Sequence, residues 1–392
     1  VVVNATSSFQ LGGARILHFN NTKSGFVGFF TGPNTTGSNN MFVGYEAGNK
    51  TTTGSFNSFL GSESGKENLT GLNNSFFGAY AGRANTTGGN NAFFGANSGL
   101  ANNGSLNSFF GSNSGFANTS GAGNSFFGAS AGLKNESGLN NSFFGRSAGE
   151  EVVIATNNSF FGAFAGWKTT AGGNSFFGAN AGEKTSTGFS NSFFGLRAGQ
   201  NNLTGARNVF LGFEAGKNMT SGTDNIFIGA LSGGSLTDGS GNIRIGKGDF
   251  CTGCNNNIAI GTGAFVSSGV TNSIAIGTGA YVLDNNQIQI GNGDTETTRL
   301  KGLIRIDQPP VSVEQREALC WEYFTNKIVR CNVNRPASTQ QSTGEIDLSR
   351  RLDEQNEQIK KQDEQIKIQQ AQIDALKALV CQANQNAPAC RK

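Results

Sequence analysis

A glycine returns every 16 or 17 residues over about two thirds of this 392-residue chain, and that beat limits its folds more than any other feature. The marked positions are Gly28, Gly44, Gly61, Gly78, Gly95, Gly111, Gly128, Gly145, Gly162, Gly178, Gly195, Gly212, Gly229, Gly246, Gly261, Gly277 and Gly291; the last three steps are 15, 16 and 14. Each unit reads Asn-Ser-Phe-Phe-Gly-x-x-Ala/Ser-Gly, then a polar stretch with a Thr-Gly or Ser-Gly. Residues 141–149 and 191–199 are clear copies. A unit this short cannot bury its own apolar face and must stack on its neighbours. Several glycines with Asn, Ser and Thr in each unit disfavour helix. A short apolar run between glycine turns is a strand. The expected fold is therefore all-β: a parallel β-solenoid with one coil per repeat. Sixteen steps of about 4.8 Å make a rod roughly 75–80 Å long.

Side chains alternate along a strand. The first and third residues after each Asn share one face, and the second points the other way. The second is Phe in twelve successive coils, the third is Phe, Val, Leu or Ile, and the first changes from Ser to Val209, Ile226, Ile243 and Ile258. Both faces thus carry apolar ladders. One is the core of the coil. The other would be a long exposed stripe unless another chain covers it, so the sequence predicts an oligomer. The Asn before each strand suits a side-chain ladder across stacked coils. The small residues Ala81, Ala131, Ala148, Ala165 and Ala198 fall where coils pack closely.

Composition narrows the function. Glycine numbers 58 and Phe 33, against Tyr 4, Trp 2 and Pro 5. Gly, Ser and Asn in such numbers could signal disorder, but the Phe residues keep register. The single histidine, His18, makes His-based metal sites and acid–base catalysis improbable. A net charge of +3 gives no footprint for nucleic acid. No apolar run is long enough for a membrane helix, so no membrane insertion is expected. Glycine-x-glycine patterns recur, but no strand–helix unit follows them, so they are repeat corners and not phosphate cradles. The carboxylates are scattered. No catalytic constellation, metal site or cofactor is predicted, and the chain is not expected to be an enzyme.

Residues 257–261 (NIAIG) and 272–277 (NSIAIG, followed by TGA) resemble the head repeats of trimeric autotransporter adhesins, and the Phe-rich copies are similar to longer variants of that repeat. The resemblance spans about residues 26–291. It implies a left-handed parallel β-roll, with three chains side by side about a threefold axis. It also implies that the second-position ladder faces that axis: Phe42, Phe59, Phe76, Phe93, Phe109, Phe126, Phe143, Phe160, Phe176, Phe193, Phe210 and Phe227. The family's C-terminal membrane barrel has no counterpart before Lys392, so outer-membrane anchoring is not expected.

After about residue 300 the composition changes. Residues 303–345 read as a connector, with a small β-hairpin stapled by Cys320 and Cys331, and residues 337–345 as a flexible linker. From Leu348 the apolar spacing becomes 3,4, and residues 346–381 read as a coiled coil. Ile359, Ile366 and Ile373 fall at a, with Gln362 and Gln369 at d. Adhesin-type trimeric stalks resemble this pattern, with polar d layers. Residues 382–392 form a Cys-containing tail, and residues 1–25 a cap or assembly segment before the shaft of 26–302.

Six cysteines fall into local pairs, Cys251/Cys254, Cys320/Cys331 and Cys381/Cys390, which suits disulfides of an oxidising, extracellular setting; Cys381 and Cys390 either close a loop within a chain or lock chains together. The start at Val1 instead of Met reads as a mature product whose targeting segment was removed, and an excised fragment would look the same. Sequons recur at Asn68, Asn85, Asn118, Asn135 and Asn202, where regular exposed glycosylation is a minor expectation. Together these features predict a secreted, homotrimeric adhesin-like fibre at the cell surface. Neighbouring trimers join end to end, and host or abiotic surfaces are its contacts. A phage tail or receptor-binding fibre is the alternative.

Overall fold

The computed structural model describes residues 8–248, 252–292, 319–322, 327–330 and 341–383, and divides the chain into two units, Val1–Arg299 and Leu300–Lys392. In the first unit each repeat supplies one three-residue strand. Seventeen such strands, from Gly25–Val27 to Ile288–Ile290, stack parallel in a single sheet. Register is kept from coil to coil: Ser142 faces Ser159, Phe143 faces Phe160, and Phe144 faces Phe161. The expected parallel β-solenoid is thus what the chain forms. Strands β1 (Ser8–Leu11) and β2 (Ala14–Phe19) form an antiparallel hairpin. Strand β2 also pairs antiparallel with β3 (Gly25–Val27), so the hairpin covers the first edge of the stack.

Glycine turns the coils. Gly128, at the end of its strand, has φ 142°, and a Cβ there would lie 2.5 Å from the Gly145 carbonyl oxygen of the next coil. Gly132 (φ 59°) folds the chain back over the Phe126 ring, where a Cβ would strike the ring itself. Only glycine tolerates both the backbone angle and the close approach.

The core is the second-position ladder. Phe26 and the twelve Phe residues from Phe42 to Phe227 are buried inside the coils of one chain. From Phe42 to Phe227 successive rings lie 4.6–4.9 Å apart with planes within 7° of parallel. The small residues Ala81, Ala131, Ala148, Ala165 and Ala198 are fully buried beside them.

The Asn before each strand shares that interior. Fourteen of them, Asn40 to Asn257, are buried. The Asn141 backbone N–H donates to Asn124 Oδ1 (2.9 Å), and Asn124 Nδ2 donates to the Gly138 carbonyl (2.8 Å). The same backbone-to-Oδ1 bond repeats from Asn57 to Asn257. A serine closes each end. Ser24 Oγ accepts the Asn40 N–H (3.0 Å), and Ser273 Oγ accepts the Gln287 N–H (3.1 Å).

Beyond Phe227 the second position becomes Arg244, Ala259, Ala275 and Gln289. Val266 and Val282, on the short paired strands Phe265–Val266 and Tyr281–Val282, take up the interior space. Arg244 is fully buried at this change of filling. Its guanidinium donates to the carbonyls of Gly248 (2.9 Å), Lys247 (3.0 Å) and Ala264.

The second unit holds an antiparallel hairpin, Leu319–Glu322 with Lys327–Arg330, and helix α1 (Gln341–Ala383). The hairpin lies within the expected connector. The helix spans the expected 346–381 but starts earlier, taking in the end of the stretch read as a flexible linker.

Asn124→Ala leaves two buried groups unpaired, the Asn141 N–H and the Gly138 carbonyl, at about 1–3 kcal/mol each. Denaturant unfolding should show that loss. Hydrogen exchange should show the added opening centred on residues 121–141.

Candidate functional site

The stacked strands present a regular surface outward. It consists of the first and third strand positions of seventeen coils. The third-position column runs from Val27 through eight Phe residues, Phe77 to Phe194, to Ile290. Those eight rings are stacked at 4.6–4.8 Å with planes within 7°. They are half-exposed: Phe94 retains 36% and Phe194 37% of its surface. Leu211, Ile276 and Ile290 continue the stripe, also exposed.

Two regularities mark this face. Its 34 positions carry no Asp, Glu, Lys or Arg, although charged residues make up 14% of the chain and about five would fall there by frequency. Bulk is also compensated across each strand. Ser or Ala stands beside Phe from coil 75–77 to coil 192–194; then come Val209 with Leu211, and Ile226 with Ile228. The face extends onto the hairpin, where Val27 pairs with Leu17 and Leu17 with Phe9. Phe9 is 63% exposed.

The residues expected at a threefold axis are elsewhere. Phe42, Phe59, Phe76, Phe93, Phe109, Phe126, Phe143, Phe160, Phe176, Phe193, Phe210 and Phe227 lie inside their own coils with at most 1% of their surface exposed, so no second chain can reach them. Alternation explains the correction. They share a face with the Asn ladder, and both turn inward. The ladder open to another chain is the third-position one.

The sequons are corrected too. Asn68, Asn85, Asn118, Asn135 and Asn202 are fully buried. They belong to a second interior column, in which Asn85 Nδ2 donates to Asn68 Oδ1 (2.9 Å) and to the Gly88 carbonyl (2.9 Å). An amide nitrogen in that position has no room for a glycan. Val152, Met219 and Leu236 occupy the same column, equally buried. At Asn135 neither side-chain polar atom has a partner.

On helix α1, Ile359, Ile366 and Ile373 are exposed, as are Gln362 and Gln369. Cys254 is fully buried. Cys251, Cys331 and Cys390 lie outside the described residues. Cys320 sits on the strand Leu319–Glu322 and Cys381 on helix α1.

Apart from the buried Arg244, charged residues of the coils sit at the corners, where many pair one coil apart. Lys50 meets Glu67 (2.6 Å), Lys134 meets Glu151 (2.7 Å), and Arg207 meets Asp224 (2.8 Å). Glu63 takes Lys66 (3.1 Å) and Arg83 (2.8 Å). Burial alone would raise its carboxyl, but the bonds from Lys66 and Arg83 outweigh that and hold it below the usual range. Bonds from Lys217 and Arg197 hold Glu214 low in the same way. These pairs match each coil to its neighbour and assemble no acid–base couple.

A trough of about 610 Å³ is lined by Lys184, Asn201, Leu203, Asn218, Thr220, Ser235 and Thr237, with Lys184 its one ionisable group. Among the described residues no cluster of His, Cys, Asp and Glu could hold a metal, and no helix is long and apolar enough to cross a membrane. No family model matches the chain, and no curated protein matches its sequence.

Two outcomes follow. Asn135→Leu replaces an unsatisfied buried amide with a residue type the column already accepts, and should raise unfolding free energy by about 1–3 kcal/mol. The lowered carboxyls of Glu63 and Glu214 contribute stability that is complete above their ordinary value of 4.5 and is lost as pH falls through their folded values. The double variant Glu63→Gln, Glu214→Gln should therefore show a smaller drop in melting temperature from about pH 5 to pH 3 than the parent.

Proposed function

We propose that this chain is a structural protein of an extracellular fibre, a homotrimeric adhesin-like rod. The observation that carries this reading is the outer strand face: a ribbon roughly 75–80 Å long, apolar or small throughout and free of charge, with bulk balanced from first to third position. An exposed apolar stripe of that length is an association surface. Three copies bring three such faces to a common axis, in the left-handed trimeric arrangement that the repeat resemblance implies. The heptad stripe of Ile359, Ile366 and Ile373, with glutamines between, supports a coiled coil that continues the trimer. Six cysteines in three local pairs, as disulfides within or between chains, suit secretion to the cell surface.

End-to-end joining of trimers into filaments is part of the same reading. Strand β1 runs in the same direction as the coil strands and, among the described residues, pairs on one side only. Among the described residues Ile288–Ile290 pairs on one side only. Open edges of like direction are templates for further strands. The work of such a rod is reach and multivalent contact with host or abiotic surfaces. It needs no catalysis and no cofactor.

Sedimentation equilibrium of the full chain should give the mass of three chains. Phe127→Asp with Phe144→Asp removes about 1.5–3 kcal/mol of burial per ring in each chain and places charge on the face. It should yield folded monomers with unchanged circular dichroism, because both rings lie outside the coil. A folded wild-type monomer at micromolar concentration would overturn the reading.

A further inference from the structure

The interior aromatic column ends, at the first edge of the sheet, on the chain's only histidine. His18 lies on β2 with Ser8 of β1 on one side and Phe26 of β3 on the other. Its imidazole stacks on the Phe26 ring, centroids 4.6 Å apart and planes 28° from parallel. The residue is 8% exposed, and Nδ1 is buried with no hydrogen-bond partner.

The charges around it are all positive. Arg15 is on the same strand, and Lys23 follows in the turn to β3. Strands β1 and β3, and the segment Gly32–Thr35 that lines a cavity with His18, contain no ionisable side chain. A proton on this imidazole would therefore put a second cation beside Arg15, against an apolar ring, with no carboxylate to offset it.

We propose that the β1–β2 hairpin is an acid-released cap on the sheet, with His18 as its sensor. At neutral pH the uncharged imidazole completes the ring column and holds the hairpin over β3. Burial, and then Arg15, hold the His18 pKa below its ordinary 6.5. The stabilisation is complete above that value and is lost as pH falls through the lower folded value. Release leaves the Gly25–Val27 edge unpaired, and a strand edge is a template for another strand. The solenoid would thus present the outer edge of β1 at neutral pH and the Gly25–Val27 edge, blocked until then, in acid. This inference is independent of the trimer and of what the rod adheres to.

The test uses the full chain. One histidine gives one imidazole signal, so NMR of the histidine-labelled protein reads the titration directly. Exchange mass spectrometry at pH 7.5 and pH 5, corrected for intrinsic rates, reads cap opening. The signal should titrate below pH 6.5. Exchange over residues 8–19 should rise about tenfold in acid, while the central coils stay protected. His18→Phe, which continues the column with the residue it already uses, should keep the cap closed at both pH values. Titration at or above 6.5, or cap exchange unchanged by pH, would overturn the proposal, as would equal acid opening in His18→Phe. If that variant fails to fold, the wild-type titration and exchange decide alone.

Discussion

From Asn40 to Asn257 each coil is tied to the next by one buried amide. A three-residue strand makes too few ladder bonds to fix its neighbour alone. The Asn before it adds a bond from the following backbone N–H to its Oδ1 and a bond from its Nδ2 to the carbonyl at the next coil's closing corner. The first spaces successive strands, and the second fixes how much chain returns before the next strand begins. Both bonds lie inside the coil, away from competing water, where an unmade bond costs more than a made one contributes. A perimeter of 15 to 17 residues lets both bonds close at once.

The Asn ladder also decides which way every other strand residue points. Asn and the second-position Phe are two residues apart, and side chains repeat with period two. An inward Asn therefore forces an inward Phe, and sends the Ser or Ile before it and the Phe or Ile after it outward. The repeat, the strands and their stacking are legible in the sequence because they rest on periodicity. Which Phe column is core is not legible from hydrophobicity, since Phe143 and Phe144 are the same residue type with opposite fates. The signal lay in the amide. A ladder of side-chain amides is strongest where water is excluded, and Asn141 shares its face with Phe143 and not Phe144.

The same reasoning explains why the sequons read as exposed corners. Asn and Thr are turn residues by propensity, but position relative to the coil overrides propensity. Met219 and Leu236 stand in the column of Asn68 and Asn85, which betrays an interior site once the column is aligned. Arg244 gave less warning. A charged side chain in a column of Phe suggests an exposed position, yet its guanidinium is taken up by three backbone carbonyls where the filling passes from rings to alanine and valine. The planar fork suits that task. Its nitrogens reach the carbonyls of Gly248, Lys247 and Ala264 at once.

The segregation of charge then bears on the proposed assembly. A solenoid coil needs charges somewhere for solubility, and its corners tolerate them. There they pair from coil to coil and sharpen register, as Arg207 does with Asp224. Nothing in the folding of a single chain requires the outer strand face to be free of them, because first- and third-position side chains do not enter the core. Nor does single-chain folding explain why bulk shifts from third to first position between Phe194 and Ile226 while the pair stays apolar. Both regularities are what the proposed association would require of a surface: exclusion of charge because desolvating an unpaired ion is costly, and balanced bulk because a close-packed layer tolerates neither gaps nor collisions. The interior of each coil and the outer face are thus two cores, one closed by the chain itself and one that a single chain leaves open.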